Sequence, residues 1–239
     1  MPVNTEPRAP ATNRLLAALP KKEHQRLLPE LEQVTMPFAE ALYEPGAQIR
    51  HVYFPNDSIV SLLAQVADRS TLEVGFVGNE GMAGISVFMG VDTSPHRAIV
   101  QGAGTAMRME ASVLRKESDG TGALHRLLHL YAHSLLTQVS RTAACNRFHM
   151  VDARLARWLL MSGDRLGSDE FLLTQEFISN MLGVRREGVS KSAGILQKHE
   201  LINYSRGRIK ILDRAGLEAT ACECYGILKA ESDGYLSKG

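Results

Sequence analysis

The segment from Leu173 to Ile211 constrains this chain more than any other. A helix, a glycine turn, a second helix and a basic hairpin follow one another without interruption. Thr174 is placed to cap the first helix by accepting a hydrogen bond from a free backbone N–H. Phe177, Ile178, Met181 and Leu182 follow at helical spacing, and Gly183 closes the helix where a left-handed residue is needed. At about 100° per residue, the second helix has two faces. Arg186, Glu187, Ser190, Lys191 and Gly194 fall on one; Val189, Ser192, Ala193 and Leu196 fall on the other and can pack on the first helix. The first face has the donors and acceptors that read base edges, since Arg suits guanine and Glu can accept from the cytosine amino group. After Leu201 and Ile202, Arg208 and Lys210 alternate with Ile209 and Ile211, the pattern of a half-buried strand. The hairpin tip forms a wing whose Arg206 and Arg208 suit phosphates. Residues 171–212 carry seven basic and three acidic side chains, a local net charge of +4 in a chain of net charge +1, so the remainder is acidic. A helical hairpin with a solvated charged face is the bland alternative, and the order of the four elements argues against it.

These residues resemble the Crp/Fnr superfamily of bacterial transcription regulators. The recognition-helix pattern of that family, Arg-Glu-Thr-(Val/Ile)-x-Arg, is met by Arg186-Glu187-Gly188-Val189-Ser190-Lys191. The resemblance implies that Arg186, Glu187 and Lys191 take the base-reading positions. Lys191 offers a point charge where the family has a bidentate Arg, and Gly188 lowers helix propensity where the family has Thr. Arg185 stands at the usual N-cap position; it cannot cap, but it is well placed for a phosphate. The resemblance further implies a homodimer on a palindromic site in double-stranded DNA. RNA polymerase and a small-molecule effector are the other implied partners.

The rest of the chain predicts an α+β fold with three further parts. Residues 1–12 read as a disordered tail without the apolar core of a signal peptide. Residues 13–122 hold short apolar runs such as Val52–Phe54, Ile59–Leu63, Leu72–Val77, Ala98–Val100 and Ala106–Met109. They are broken by Gly, Pro and Asn turns from about residue 38 onward, which suggests a jelly-roll-like β-roll. Short helices are expected after Asn13 and from Glu23 to Leu28. The resemblance makes the roll the effector domain. Residues 123–150 read as one long helix with Leu124, Leu128, Tyr131 and Leu135 in a 4-3-4 seam. Such a seam suits a dimerisation helix, and an ordinary core helix under the roll is the alternative. Residues 151–239 form the winged helix-turn-helix domain, with a first helix from Asp152 and a last one from Arg214 to Ala230. No run is long enough for a membrane helix, and three scattered cysteines suit a reducing cytoplasm.

Catalytic and metal chemistry is not expected. The eight histidines make no His-x-His with a downstream Glu, so neither a metal cofactor nor an enzyme of the metal-cupin kind is predicted. His125, His129 and His133 share one helix face, read as a solvated face rather than ligands. Cys222 and Cys224 would diverge by about 200° on a helix and read as a pair of free structural thiols. In cyclic-nucleotide-binding members of the family, a Glu and an Arg of the roll hold the ribose and phosphate. The matching stretches here contain Glu80, Gly81, His96 and Arg97, which are the effector-pocket candidates. Alignment on Ala98 places His96 where the phosphate Arg belongs. A turn-capping Glu80 and a cross-strand pair for Arg97 are the alternative. A ligand-sensing module whose helix-turn-helix contacts protein remains the rival function, with a metal cupin-like enzyme as the more remote one.

Overall fold

A computed structural model of the chain describes residues 12–65 and 71–237. The tail expected over residues 1–12 lies outside them except for Thr12. The fold is α+β, with an N-terminal β-roll, a long helix and a C-terminal winged helix-turn-helix. Two short helices, α1 (Arg14–Ala17) and α2 (Lys21–Leu27), come first. Asn13 starts α1 by accepting the Leu16 N–H at 3.1 Å, and its amide donates to the carbonyls of Pro55 and Gly81.

The roll consists of β1 (Glu32–Met36), β2 (Ala41–Tyr43), β3 (His51–Pro55), β4 (Ile59–Gln65), β5 (Thr71–Val77), β6 (Arg97–Gly102) and β7 (Gly104–Glu110). One sheet runs β1-β7-β3 and the other β2-β6-β4-β5, with every pair antiparallel. The roll begins with β1, ahead of the strand series expected from about residue 38. β1 escapes a sequence reading because it is largely exposed and polar and finds its partner only in β7. A short helix α3 (Ala111–Glu117) then leads to α4 (Ala123–Phe148).

Alternate side chains of a strand point to opposite faces, and the β2-β6-β4-β5 sheet uses both. Val60, Val77, Ala98 and Val100 enter a core inside the roll with Phe54, Met82 and Met109. Ile59, Leu63, Phe76 and Ile99 enter a second core that they share with the C-terminal domain. That domain comprises α5 (Val151–Leu166), β8 (Glu170–Leu172), α6 (Gln175–Leu182), α7 (Arg186–Lys198), β9 (Ile202–Ser205), β10 (Arg208–Ile211), α8 (Arg214–Thr220) and α9 (Cys224–Leu236). Leu155, Trp158 and Leu159 of α5 are the middle of the second core. Ion pairing adds to the contact: Arg165 of α5 lies 2.7 Å from Glu80 of the roll, with both side chains at most 10% exposed.

Two expectations change. The seam of Leu124, Leu128 and Tyr131 faces the chain's own roll, where all three are buried, and Leu135 packs against the same core. Tyr131 Oη also donates to the Met82 carbonyl at 2.7 Å. A 4-3 spacing defines one face of a helix, and here that face meets the roll. The last helix is two helices: Ala221 is extended (φ −65°, ψ 150°), which ends α8 and turns the chain into α9.

Candidate nucleic-acid interface

The helix pair is built as its residues dictate. Thr174 Oγ1 accepts the Phe177 N–H at 3.1 Å. Gly183 takes the left-handed conformation (φ 62°, ψ 40°) that lets the chain leave α6. Ile178, Met181 and Leu182 of α6 are buried with Val189, Ala193 and Leu196 of α7, which fixes the second helix against the first. Arg185 occupies the N-cap of α7 in an extended conformation without a side-chain cap bond. The opposite face of α7 is open: Arg185, Arg186, Glu187, Ser190 and Lys191 are all exposed.

The wing is a three-stranded sheet of order β8-β10-β9. Its tip turns through Arg206 (φ 50°) and Gly207 (φ 77°), both left-handed, as a tight two-residue hairpin requires. This conformation carries Arg206 out beside the start of α7. Thr174, Gln175, Arg186, Tyr204, Arg206 and Gly207 line an open groove of about 370 Å³ between α6, α7 and the wing. Burial raises the Tyr204 phenol above its ordinary range, while the charge of Arg186 pulls the other way.

The basic residues divide into two groups. Among the described residues, Arg185, Arg186, Lys191 and Arg206 make no ion pair. Arg208 does: its guanidinium is bonded to Glu170 of β8, which holds that carboxyl below its usual range. Arg208 therefore braces the wing, in place of the free phosphate group expected of it. Ser190 is also engaged, donating to Gln175 Oε1 at 2.8 Å. Gln175 lines the groove and was not singled out by the sequence, although its place just after a capping Thr is the signal that marks it.

The roll candidates do not converge. Glu80 Oε1 pairs with Arg165 and accepts the Gly78 N–H, so it caps a turn and clamps the domains. Gly81 lies against the Tyr131 ring, which leaves no space for a side chain. Arg97 is turned outward to Glu44 at 3.2 Å. His96 alone lines the cavity inside the roll. This space of about 130 Å³ is bounded mostly by apolar groups such as Ile49, Leu62, Met82, Leu135 and Val139. Burial holds the His96 imidazole below its ordinary pKa, so it supplies no fixed positive charge. On α4, His129 Nε2 meets His125 Nε2 at 3.0 Å while His133 turns to Glu231, so the three histidines do not share a centre.

Residues 153–220 match the family of Crp-like helix-turn-helix domains. No curated protein matches the chain. Among solved structures, FixK2 from Bradyrhizobium japonicum is similar with a TM-score of 0.68 at 16% identity, over 80% of this chain and 98% of that one. A transcriptional regulator assigned to the Crp/Fnr family from Eubacterium rectale gives 0.66 at 16% identity, over 86% and 96%. A CRP-family transcriptional regulator of Thermus thermophilus gives 0.64 at 20% identity, over 80% and 96%. The resemblance read from the recognition helix is thus met by the domain match over residues 153–220, and the fold is shared with these structures over 80–86% of the chain. The described residues include no helix long and apolar enough to cross a membrane.

Proposed function

We propose that this chain, a Crp/Fnr-type regulator in fold and in its helix-turn-helix domain, acts as a cytoplasmic homodimer that binds a palindromic DNA operator and answers to an effector in the roll. The observation that carries the reading is the open face formed by α7 and the wing tip. Arg185, Arg186, Lys191 and Arg206 stand there exposed and, among the described residues, without carboxylate partners, whereas Arg208 and Arg214 are paired. Arg186 and Glu187 read bases, and Arg206 at the groove holds a backbone phosphate. Binding studies separate these roles. Glu187→Ala should relax preference at one base pair by about 1–3 kcal/mol. Arg206→Ala should weaken all sequences alike and lower the salt slope by about one phosphate. An unchanged sequence preference in Glu187→Ala would show that another face reads the DNA. A footprint should show two half-sites with centres about 34 Å apart.

The dimer contact moves to the side of α4 that the roll leaves open. Leu136 and Ala143 lie on that side, and Leu136 is 64% exposed. A leucine so exposed in mid-helix suits a knobs-into-holes partner. Leu136→Asp should sediment as a monomer and lose operator binding; a dimer of undiminished strength would place the interface elsewhere.

The effector is a small, largely apolar molecule. The roll cavity offers neutral His96 and turns Arg97 away, so it lacks the fixed cation a cyclic phosphate needs. Calorimetric titration with cyclic AMP should give no micromolar binding. Such binding, abolished by Arg97→Ala, would reverse this part of the reading.

A further inference from the structure

The three cysteines of the chain and one histidine meet where the long helix ends. Cys145 and His149 come from the last turn of α4, and Cys222 and Cys224 from the turn into α9. Cys145, Cys222 and Cys224 are at most 8% exposed, and none is in a disulfide. Cys145 Sγ lies 3.5 Å from Cys222 Sγ, and Cys224 Sγ lies 3.9 Å from His149 Nδ1. All four ligand atoms fall within 4.8 Å of one another. A tetrahedral zinc with Zn–S of about 2.3 Å and Zn–N of about 2.0 Å has ligand–ligand edges of about 3.5–3.8 Å, so small adjustments close the shell.

Two independent features point to a metal here. The first is the setting of His149. Its Nδ1 faces the thiols while its Nε2 lies 3.1 Å from Glu223 Oε1. A carboxylate that takes the far N–H fixes the tautomer and presents the other nitrogen to a metal. The second is charge. Arg154 and Arg157 are at most 5% exposed, and among the described residues the Nε of each lacks a hydrogen-bond partner. The Arg154 guanidinium bonds the Asn146 side chain and the Leu182 carbonyl, and that of Arg157 meets the Met161 sulfur. Asn146, which Arg154 bonds, directly follows Cys145 in α4. Buried cations need an anionic neighbour. A zinc ion with three thiolates and a neutral imidazole carries one net negative charge.

We propose that Cys145, His149, Cys222 and Cys224 bind one zinc ion in a closed Cys₃His site that staples the end of α4 to the α8–α9 turn. On binding, the three thiols release three protons to solvent, and the ion accepts three sulfur lone pairs and one from His149 Nδ1, with no change of oxidation state. Four protein ligands leave no open position, so the role is structural. The expectation that Cys222 and Cys224 diverge assumed one continuous helix. The break at Ala221 brings both thiols to the same point, and the i, i+4 spacing of Cys145 and His149 supplies the other two ligands.

The test uses the full chain, prepared without a histidine tag under reducing conditions. Elemental analysis should find about one zinc per chain, and exchange with cobalt should give the thiolate-to-cobalt absorption of a tetrahedral site. His149→Ala and Cys224→Ser should lose the metal, His149→Cys should keep it, and His129→Ala should leave it unchanged. Circular dichroism of each variant separates metal loss from failure to fold, and His149→Cys keeps the test open if the others do fail. Only traces of zinc in the folded wild-type chain, even after incubation with zinc chloride, would overturn the proposal. So would full zinc content in folded Cys222→Ser, or a Cys145–Cys222 disulfide in place of bound metal.

Discussion

Arg165→Ala should destabilise the chain by about 3–5 kcal/mol, read as a lowered midpoint of urea unfolding, because it leaves a buried carboxylate without its counter-charge. Arg165 is 10% and Glu80 8% exposed, and two guanidinium nitrogens reach Glu80 Oε1 at 2.7 and 2.8 Å. The same guanidinium lies over the Phe76 ring at 4.4 Å and donates to the Met161 carbonyl. The stem of Arg165 also fills the space beside Gly78, where a side chain could not fit. Glu80 is fixed from other sides as well: its backbone carbonyl accepts from Tyr235 Oη. The carboxylate cannot swing into water when its partner is lost. The double variant Arg165→Met, Glu80→Leu should recover much of the loss, since replacing a buried pair by apolar groups is often neutral. A single-variant cost below about 1 kcal/mol would mean that Glu80 is solvated as at a surface.

Stability should fall as pH rises from about 4.5 to about 7, by about 3 kcal/mol in all, through Glu73 alone. Burial pushes the Glu73 carboxyl from the ordinary 4.5 up to about 7, although Ser61, Trp158, Arg157 and Arg165 pull it down. The folded chain therefore binds a proton that the unfolded chain has released in this window. The contribution is whole below the unfolded value and gone above the folded one. The spacing of the oxygen atoms agrees. Ser61 Oγ lies 2.7 Å from Glu73 Oε2 and 2.5 Å from Gln101 Oε1, yet it has one proton to give. With the Gln101 amide oriented as it is, a proton on Glu73 completes the run: Glu73 donates to Ser61, and Ser61 donates to Gln101. Gln101 then donates to Ser162 of α5 at 3.3 Å, and Trp158 Nε1 donates to the other Glu73 oxygen at 3.0 Å. Glu73→Gln should flatten the profile between about pH 5 and 8 and stabilise the chain at the alkaline end. An unchanged slope in that variant would assign the titration to another group.

Much of this architecture could be read before the structure, because its signals are local. Thr174, Gly183 and the alternation at Arg208–Ile211 specify cap, turn and strand within a few residues. What could not be read depends on distant partners. Arg165 and Glu80 are separated by 85 positions in the chain. Leu124, Leu128 and Tyr131 have the spacing of a core stripe and of a dimer seam alike, and only the roll beneath them decides between the two. Arg97 was ambiguous because one step of register turns it from cavity to solvent. The pairing of Tyr43 with Ala98 sets that register and brings Arg97 to Glu44. The α8–α9 break lacks a Gly or Pro at Ala221 to announce it.

The sheet that feeds two cores bears on how such a chain can be recombined. A chimera joined ahead of α4, with this roll and a foreign C-terminal half, would leave Ile59, Leu63, Phe76 and Ile99 facing side chains not shaped for them. Glu73 would lose the Trp158 indole and Glu80 its arginine. The second core continues through Leu217 and Leu228, and the roll core takes in Tyr235, so a graft that keeps both cores whole carries the chain through α9 and the roll is not an interchangeable cassette.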